Sequence, residues 1–393
     1  MNPTQFDPSE RLVVAMSGGV DSSAVAWMLR EAGHDLVGLF MRNGVKVEDE
    51  AEASKKSCCS LGDARDARMI AAKLGVPFQA VDLSEEFGDI IEYFIGEYGR
   101  GRTPNPCAVC NRDLKMGKLI EFAEQLGCAG VATGHYARIS IEDGRVRLRR
   151  GVDRNKDQSY QLFPVAEKDL ARTATPLGGM EKPEVRAMAE HAGLRTHAKK
   201  DSQEICFVPS NDYRRLLSER GVELHPGRIV DVFGKDHGPH EGTEHFTIGQ
   251  RRGHGVAVGV PMYVVETHPE DGLVVIGTEN DCKAASMRVD GLNWIGFDPP
   301  SVGGSFRAAV QVRYRHRPTP CTVELDGAGA TVTFDDPQMA IAPGQGAAFY
   351  ELDEAAGQGG DLSLGGGWIR SAARLGQAPL TDAARGADPA QPA

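Results

Sequence analysis

The chain is predicted to be an α/β protein: an N-terminal doubly wound parallel sheet, a small β-rich central domain and a C-terminal β-barrel. Apolar strand-like runs alternate with helical patterns up to about residue 202, which predicts the parallel sheet. Short strands separated by Gly-rich and Pro-rich turns follow, which predicts the β-domains. The predicted units are residues 1–202, 203–284 and 285–375, with a disordered Ala-, Pro- and Gly-rich tail over 376–393.

In the first domain, helices are recognised by apolar residues at helical spacing and strands by short apolar runs. Strands are predicted at Leu12–Met16, Asp35–Met41, Phe78–Asp82 and Ala129–Ala132. Helices are predicted from the loop after Met16 to Gly33, at Asp63–Leu74, around Phe87–Ile95, at Asn111–Gly127 and at Glu184–Ala192. Between them, Arg138–Leu148 alternates around Asp143-Gly144, a tight turn that predicts a hairpin.

The β-domains are predicted from alternating runs between glycines. The central domain is expected to hold a short helix at Asn211–Gly221 and strands at Arg228–Phe233, His245–Gly249, Met262–Thr267 and Leu273–Ile276. Barrel strands are expected at Phe306–Arg315, Cys321–Leu325, Thr331–Phe334 and Ala347–Leu352. In the first of these, alternation predicts that Val310, Val312 and Tyr314 point inward and Gln311, Arg313 and Arg315 outward.

Composition limits the class of protein. With 393 residues, the chain is long enough for two or three domains, and no apolar run is long enough to cross a bilayer. The polar start, without an apolar h-region, and eight cysteines without a secreted disulfide pattern predict a cytoplasmic protein with reactive or metal-binding thiols. Because the net charge is −11, a nucleic acid would be bound only by local basic patches. Candidate patches are Arg100, Arg102, Arg112, Lys115 and Lys118; Arg145, Arg147, Arg149, Arg150, Arg154 and Lys156; Arg251 and Arg252; and Arg313, Arg315 and Arg317.

The turn at Ser17-Gly18-Gly19 carries the first functional signal, because it joins an apolar strand to a helix. Such a turn aims backbone N–H groups and the positive end of the helix dipole at one point, which predicts an anion site suited to a pyrophosphate. Ser17, Ser22 and Ser23 add hydroxyl donors, and Asp21 can help hold Mg²⁺. The pattern differs from the common phosphate loop, since no Lys-Ser or Lys-Thr follows the glycines.

The cysteines carry the second signal. Cys107 and Cys110 form a C-x-x-C motif after Pro104-Asn105-Pro106, and Cys110 is predicted at a helix N-terminus, which lowers a thiol pKa. Cys206 lies in the strand-like run Ile205–Val208. Three interpretations remain open: a metal knuckle, for which C-x-x-C gives only two ligands; inert buried cysteines; and sulfur chemistry with a persulfide on one cysteine and resolution by another. The inert interpretation is favoured for Cys128, Cys282 and Cys321.

An ordered set of motifs resembles the tRNA-specific 2-thiouridylase family, within the ATP pyrophosphatase superfamily. The motifs are Ala-Met-Ser-Gly-Gly-Val-Asp-Ser (15–22), Gly-Arg-Thr-Pro-Asn-Pro-x-x-x-Cys-Asn (101–111), Thr-Gly-His-Tyr-Ala (133–137), Asn-Lys-Asp-Gln-Ser-Tyr (155–160), Asp-Ser-x-x-Ile-Cys-Phe (201–207), Phe-Thr-Ile-Gly-Gln-Arg-Arg-Gly (246–253), Val-Arg-Tyr-Arg (312–315) and Leu-Gly-Gly-Gly-Trp-Ile (364–369). The resemblance implies an adenine nucleotide alpha hydrolase-like first domain. It also implies thiolation of the wobble uridine of tRNA with ATP and Mg²⁺.

Carried over residue by residue, the resemblance implies three sets of functional residues. ATP would be bound by Ala15, Met16, Ser17, Gly18, Gly19, Val20, Asp21, Ser22, Met41 and Gly134. Cys110 would be the nucleophile and Cys206 the persulfide carrier, joined transiently in a disulfide. Asn105, Pro106 and Cys107 would lie against the target base, and His135, Lys156, Asp157, Gln158, Arg313, Tyr314 and Gln345 would contact tRNA. A sulfur-relay protein would donate the persulfide, and no membrane is implicated.

One position departs from the family pattern: family members often carry Asp where this chain has Cys107. An acid–base role there is therefore in doubt, and a Cys107–Cys110 pair would be able to intercept the resolving step. The alternatives are another ATP pyrophosphatase, either an iron–sulfur tRNA thiolase or an amidating enzyme, and a non-catalytic RNA-binding module. The sequence assigns no function to Cys58 and Cys59.

Overall fold

The fold is that of a computed structural model, which describes residues 4–44, 61–199, 205–208, 212–353, 355 and 357–375. The predicted tail over 376–393 and the cysteines at positions 58 and 59 lie outside the described residues. No helix of the described ranges is both long and apolar enough to span a membrane.

The first sheet is parallel and has the strand order β3-β2-β1-β4-β7. Its strands are β1 (Leu12–Ala15), β2 (Leu36–Arg42), β3 (Phe78–Asp82), β4 (Gly130–Ala132) and β7 (Thr173–Ala174). Helices α1 (Val20–Glu31), α2 (Leu61–Leu74), α3 (Ser84–Gly99), α4 (Pro106–Cys110), α5 (Leu119–Gln125), α6 (Glu167–Leu170) and α7 (Lys182–His191) connect or flank them. The predicted doubly wound sheet is confirmed; only β7, two residues long, carries too short a pattern to predict. Because β1 and β4 lie side by side while the chain leaves them in opposite directions, a ligand crevice opens at their carboxyl ends.

The helix that carries the C-x-x-C motif begins earlier than predicted. Asn105 caps it through a bond from the Ala108 N–H, and Pro106 occupies its first turn. Asn111–Lys118 forms a π-helical stretch that continues into α5. The prediction that Cys110 stands at a helix N-terminus is therefore wrong: Cys107 lies in the first turn, and Cys110 ends α4.

The second sheet has the order β10-β11-β8-β9 and follows the short helix α8 (Tyr213–Glu219). Its strands are β8 (Gly227–Asp231), β9 (Asp236–His240), β10 (Tyr263–His268) and β11 (Leu273–Gly277). The predicted strand His245–Gly249 is wrong. Gln250 donates its backbone N–H to Thr247 to close a turn, and Gly249 has a φ of +84°, so the segment bends away from an extended path.

The third sheet is a closed six-stranded antiparallel barrel with an attached hairpin. The barrel strands are β12 (Lys283–Trp294), β13 (Ser305–Gln311), β14 (Thr319–Leu325), β15 (Ala330–Met339), β16 (Gly346–Asp353) and β17 (Gln358–Arg374), and pairing of β12 with β17 closes the barrel. The hairpin of β5 (Ala137–Glu142) and β6 (Arg145–Arg150) forms as predicted and extends the barrel sheet, because β6 pairs with β17. In the Leu-Gly-Gly-Gly motif, a Cβ on Gly366 would lie 2.3 Å from the Ala347 carbonyl oxygen, so glycine permits close strand approach.

The predicted alternation over Phe306–Arg315 is wrong at Gln311 and from Arg313 onward. The strand β13 ends at Gln311, whose side-chain amide donates to the carbonyls of Arg313 and Tyr314 and so fixes a turn. As a result Gln311 is buried and Tyr314 is partly exposed, at 38%, the reverse of the expected alternation, while Arg313 turns inward to donate to the Ile248 carbonyl.

Candidate functional site

The glycine loop between β1 and α1 takes a shape that only glycine fits at position 18. Gly18 has a φ of +70°, and a Cβ there would lie 2.3 Å from the carbonyl oxygen of Asp63 on α2. The Nζ of Lys199 lies 2.9 Å from the Gly18 carbonyl oxygen and links the loop to α2. The same ammonium group contacts the carboxylates of Asp63 and Asp66. The loop is thus packed against α2 before any ligand arrives.

Serine hydroxyls set the internal geometry of the loop. Ser22 Oγ accepts the Ser17 N–H at 3.1 Å and lies 3.1 Å from Ser17 Oγ, while Ser23 Oγ donates to the Gly19 carbonyl at 2.6 Å. Gly19 is the N-cap residue of α1 and provides no capping side chain. The first-turn N–H groups of a twelve-residue helix are therefore left facing the crevice, the arrangement that binds phosphate groups.

The remaining predicted nucleotide residues lie around the same crevice. Ala15 ends β1 and Met41 lies near the end of β2, the neighbouring strand, and both pack against the apolar core beneath the loop. Gly134 follows β4, and a Cβ there would lie 3.0 Å from the Asp21 Cβ and 3.2 Å from the Ser22 nitrogen. Whether these residues bind ATP stays a prediction, but the fold brings them together.

The segment Thr133–Tyr136 joins the glycine loop to the helix that carries Cys110. The Tyr136 hydroxyl donates to Asp21 Oδ1 at 2.8 Å, on the loop side. On the other side, His135 Nε2 lies 3.2 Å from the Oδ1 of Asn111, the residue after Cys110. Of these two adjacent residues, Tyr136 thus contacts the glycine loop and His135 contacts the thiol-bearing helix.

His135 is buried and electrically neutral. Its Nδ1 lies 2.8 Å from Thr133 Oγ1, so both ring nitrogens have partners inside the protein. Burial lowers the pKa of His135 to about 3, and the charge of Lys115 acts in the same direction. The ring therefore positions Asn111; its predicted contact with tRNA stays a prediction.

Asp21 takes part in an ion pair that the sequence motifs do not reveal. The Nζ of Lys182, at the start of α7, lies 2.7 Å from both carboxylate oxygens of Asp21. It also lies 5.6 Å from the centre of the Tyr136 ring. The lysine is separated from the loop by 161 residues and belongs to none of the recognised motifs, so no local signal could have found it.

The barrel holds the loop before Cys107 in place. Gln345 Nε2 donates to the carbonyls of Thr103 and Pro104 at 3.2 and 2.8 Å, and the Thr103 N–H donates to the Pro343 carbonyl at 2.8 Å. Gly344 faces the same loop: it has a φ of +91°, and a Cβ there would lie 2.8 Å from the Thr103 oxygen. The third sheet therefore helps to build the site on the first domain.

Asn105 occupies the centre of that loop. Its Oδ1 accepts the Ala108 N–H at 3.2 Å, and its backbone N–H donates to the Tyr93 hydroxyl at 3.4 Å. Its Nδ2 is buried and makes no short hydrogen bond among the described residues, although the Tyr160 hydroxyl lies near it. A buried amide donor with only a weak partner is available to a ligand that offers a carbonyl acceptor.

Cys110 and Cys206 pack against one apolar cluster, which we call the thiol cluster. Its buried members include Phe87, Phe94, Val109 and Phe207, and both cysteines lie partly buried at its edge. Cys206 lies in a turn, so the predicted strand at Ile205–Val208 is wrong; the Val208 N–H donates to the Ile205 carbonyl and closes the turn. No disulfide joins any two cysteines of the described ranges.

Cys107 and the buried cysteines behave differently from this pair. Cys107 is exposed in the first turn of α4, and its sulfur does not form a set of mutually close ligands with Cys110 and Cys206. Cys128, Cys282 and Cys321 are buried as predicted, and their inertness stays a prediction. Burial raises the pKa of Cys282 to about 11 and that of Cys321 to about 12, so both stay protonated.

Arg313 and Tyr314 lie where the barrel meets the second sheet. Arg313 donates to the Ile248 carbonyl at 2.6 Å and borders a cavity of about 480 Å³ between α8 and the turn at 247–250. Burial lowers the pKa of its guanidinium, and Tyr160 opposes that shift. Tyr314 is close enough to Cys107 for the thiol to influence its pKa, which burial raises.

The segment that carries Lys156, Asp157 and Gln158 is tied to Tyr136. Gln158 accepts the Tyr136 N–H through Oε1 and donates its own N–H to the Tyr136 carbonyl, both at 2.9 Å. Asp157 is buried, and its carboxylate accepts from Arg150 and from the N–H groups of Gly151 and Ser159.

The candidate basic patch on and after the β5–β6 hairpin, residues 145–156, is largely neutralised by acidic side chains. Ion pairs join Arg145 to Asp298, Arg149 to Glu142, Arg150 to Asp157 and Arg154 to Asp361. Such a surface is a mixed-charge face rather than a continuous cationic patch.

Family models match consecutive parts of the chain: the tRNA methyl transferase HUP domain at residues 10–210, the tRNA methyl transferase PRC-barrel domain at 215–278 and the aminomethyltransferase beta-barrel domain at 284–369. The chain is 46% identical over 369 residues to the tRNA-specific 2-thiouridylase of Geobacter metallireducens, covering 92% of this chain and 97% of that protein. It is 43% identical over 377 residues to the one of Solibacter usitatus, with 92% and 100% covered. Among solved structures, a 4-thiouridine synthetase–RNA complex with bound ATP aligns with a TM-score of 0.34 and 16% identity over 54% of this chain and 50% of that chain.

A parallel sheet with a glycine loop at its switch point, joined to a small β-sheet and a closed barrel, defines a HUP-domain protein with two attached β-domains. Within that class the chain belongs to the tRNA-specific 2-thiouridylase family. The family predicted from the ordered motifs is thereby confirmed.

Proposed function

We propose that this chain is a tRNA 2-thiouridylase, which uses ATP to replace the C2 oxygen of the wobble uridine by sulfur. The observation that carries the proposal is that Cys110 and Cys206, distant in sequence, pack against the same thiol cluster. The HUP-domain match and the glycine loop support ATP as the activating substrate. The curated relatives of the chain are tRNA-specific 2-thiouridylases, which supports tRNA as the acceptor.

The first step is activation of the uridine. The C2 oxygen attacks the α-phosphorus of ATP, an O–P bond forms, the bond to the bridging oxygen breaks, and pyrophosphate leaves. The uncapped N–H groups at the start of α1 and the hydroxyls of Ser17 and Ser22 would stabilise the charge on the leaving pyrophosphate. AMP attached to the C2 oxygen is then a good leaving group.

The second step transfers sulfur. The terminal sulfur of a persulfide on Cys206 attacks C2 and expels AMP; the Cys110 thiolate then attacks the Cys206 sulfur and releases 2-thiouridine. Alternatively, Cys110 attacks the persulfide first and frees hydrosulfide, which attacks C2. Both routes end with a Cys110–Cys206 disulfide, so a dithiol reductant must restore the thiols and a persulfide must be supplied again. We therefore infer a sulfur-relay persulfide donor as partner and the reducing cytoplasm as compartment.

Recognition of the base is the natural function of Asn105. A uridine drawn out of the anticodon loop offers two carbonyl oxygens, and the buried Asn105 Nδ2, which has only the Tyr160 hydroxyl nearby, is a donor able to bind one of them. The neighbouring Pro106 and Cys107 would contact the same base. Lys156, Gln158, Arg313, Tyr314 and Gln345 are proposed to contact the tRNA. Of these, Gln345 binds the Pro104 carbonyl next to Asn105, which supports its place in this group.

The sequence predicts that Asp21 helps to hold Mg²⁺, and the contacts of its carboxylate do not fit that role. Both carboxylate oxygens of Asp21 already bind the Lys182 ammonium group, and one also accepts from Tyr136. A carboxylate neutralised in this way does not present the open anionic oxygens that Mg²⁺ requires.

The direct test is reconstitution with unmodified tRNA transcript, ATP and a persulfide donor, with the nucleosides analysed by mass spectrometry. Formation of 2-thiouridine, with AMP and pyrophosphate in equal amounts, supports the proposal. In a strain that lacks the protein, nucleoside analysis of tRNA should show the loss of 2-thiouridine. Binding of tRNA without pyrophosphate release would instead indicate an RNA-binding module, and stoichiometric iron after anaerobic purification an iron–sulfur thiolase.

A further inference from the structure

Lys182 places an ammonium group beside the first turn of α1. Its side chain is only 9% exposed, and its Nζ lies 2.7 Å from both oxygens of Asp21, the second residue of that helix. Buried ammonium groups are rare and are kept for a partner or a ligand. The ion pair places this charge beside the same crevice as the free N–H groups of the loop.

The loop has no cationic side chain of its own. Residues 15–23 contain neither Lys nor Arg, although a triphosphate brings several negative charges. Phosphate loops of other proteins commonly include a lysine for this purpose. In this chain Asp21 alone would repel a phosphate at the helix N-terminus, so a compensating cation is needed there.

We propose, on the basis of the function inferred above, that Lys182 binds the β- and γ-phosphates of ATP and the leaving pyrophosphate, and that Asp21 is a positioning residue that holds its ammonium group. On ATP binding, the Lys182 Nζ shares its three donors between Asp21 and phosphate oxygens. Lys182, although distant from the loop in sequence, would thus do what the lysine of a phosphate loop does: bind the phosphate groups.

The backbone fixes Lys182 in position for this purpose. Its N–H donates to Asp153 Oδ2 at 3.1 Å, and a capping box between Glu181 and Glu184 defines the start of α7. Lys199, the other lysine on the loop, contacts the Gly18 carbonyl and two carboxylates, so its charge is already matched by acids and it acts as a loop clamp.

The test compares Lys182→Met, Lys182→Arg and Lys73→Met in the full-length protein. Lys73 is the matched control: its ammonium group binds the carbonyls of Ala192 and Gly193 just after the opposite end of α7, away from the loop. Equilibrium binding is measured for ATP, inorganic pyrophosphate and AMP, without added metal. Lys182→Met should weaken ATP and pyrophosphate binding about tenfold or more, because a hydrogen bond to a charged group is lost. AMP binding should change little, Lys182→Arg should restore most of the affinity, and Lys73→Met should bind like the wild type.

A double variant separates phosphate binding from simple neutralisation of Asp21. Asp21→Asn/Lys182→Met removes both charges, leaves no unpaired carboxylate, and guards against misfolding of the single variant. We expect it to bind pyrophosphate as weakly as Lys182→Met. Wild-type affinity in the single or the double variant would overturn the inference while leaving the proposed function intact. Failure of the wild-type chain to bind ATP would overturn the proposed function and this inference together.

Discussion

Tyr136 donates a hydrogen bond of 2.8 Å to Asp21, 115 residues earlier in the chain, and thereby connects the glycine loop to the segment that includes Gln158. In the same segment His135 contacts Asn111, next to Cys110. One short stretch after β4 therefore touches the proposed ATP site, the thiol-bearing helix and a predicted tRNA contact. Adenylation and sulfur transfer are expected to depend on it.

Replacement of Tyr136 by Phe should weaken ATP binding by about fivefold to tenfold, because a hydrogen bond to a charged carboxylate is lost while the ring stays. Isothermal titration with ATP measures the change. Tyr263→Phe, on β10 of the second sheet, is the control and should bind ATP normally. Unchanged affinity in Tyr136→Phe would show that the hydroxyl does not organise the loop.

Replacement of Cys206 by Ser should abolish 2-thiouridine formation and leave ATP binding intact, because the persulfide carrier lies against the thiol cluster and not at the glycine loop. Cys110→Ser should likewise abolish turnover. Mass spectrometry of digested tRNA measures the product. Thiolation by Cys206→Ser would remove the persulfide assignment.

Replacement of Asp21 by Ala should stop pyrophosphate release. The substitution leaves the Lys182 ammonium group without its carboxylate and Tyr136 without its acceptor. A coupled assay for pyrophosphate with tRNA and ATP measures the rate. A normal rate would show that the interpretation of the glycine loop is wrong.

Replacement of Gln345 by Ala should lower thiolation by about tenfold while ATP affinity stays unchanged, because the loss of two donors frees the loop at Thr103 and Pro104. Steady-state rates at varied tRNA concentration measure the effect. Gln338→Ala on β15, whose amide bonds only the nearby Asp336 carbonyl, is the matched control. Equal rates in the two variants would show that the barrel does not support the site.

His135 should make the protein less stable in weak acid. Its pKa is about 3 in the folded protein and about 6.5 when unfolded, so between these values the unfolded state binds more protons and stability falls as the pH falls. Lowering the pH from 7.5 to 5.5 should cost about 1.4 kcal/mol of unfolding free energy through this residue. Urea unfolding at both pH values measures it. His135→Gln should lose this part of the dependence, and exposed His191→Gln should retain it.

Much of the first domain could be predicted from the sequence, because its strands are short buried runs and its helices are amphipathic. The glycine loop could be predicted as an anion site because strand, loop and helix are contiguous. The position of Cys110 in its helix was predicted wrongly because the helix starts at the Asn105 cap, whereas the predicted helix began only at Asn111.

The contacts between distant elements could not be predicted. Lys182 meets Asp21 only because α7 packs on α1, and Gln345 reaches the loop only because the barrel folds back onto the first domain. The prediction that β13 continues to Arg315 was wrong for a local reason. The Gln311 side chain donates to two backbone carbonyls and fixes a turn where the alternating pattern predicts a strand. Side-chain hydrogen bonds of this kind leave no trace in hydrophobic periodicity.

The proposed sulfur transfer requires Cys110 and Cys206 to react together, and a single-turnover experiment tests this most directly. Protein carrying a persulfide is mixed with ATP and unmodified tRNA, quenched with an alkylating agent and mapped by mass spectrometry without reduction. We predict a Cys110–Cys206 disulfide equal in amount to the 2-thiouridine formed and dependent on both ATP and tRNA. Formation of 2-thiouridine with both cysteines recovered as free thiols would contradict the account.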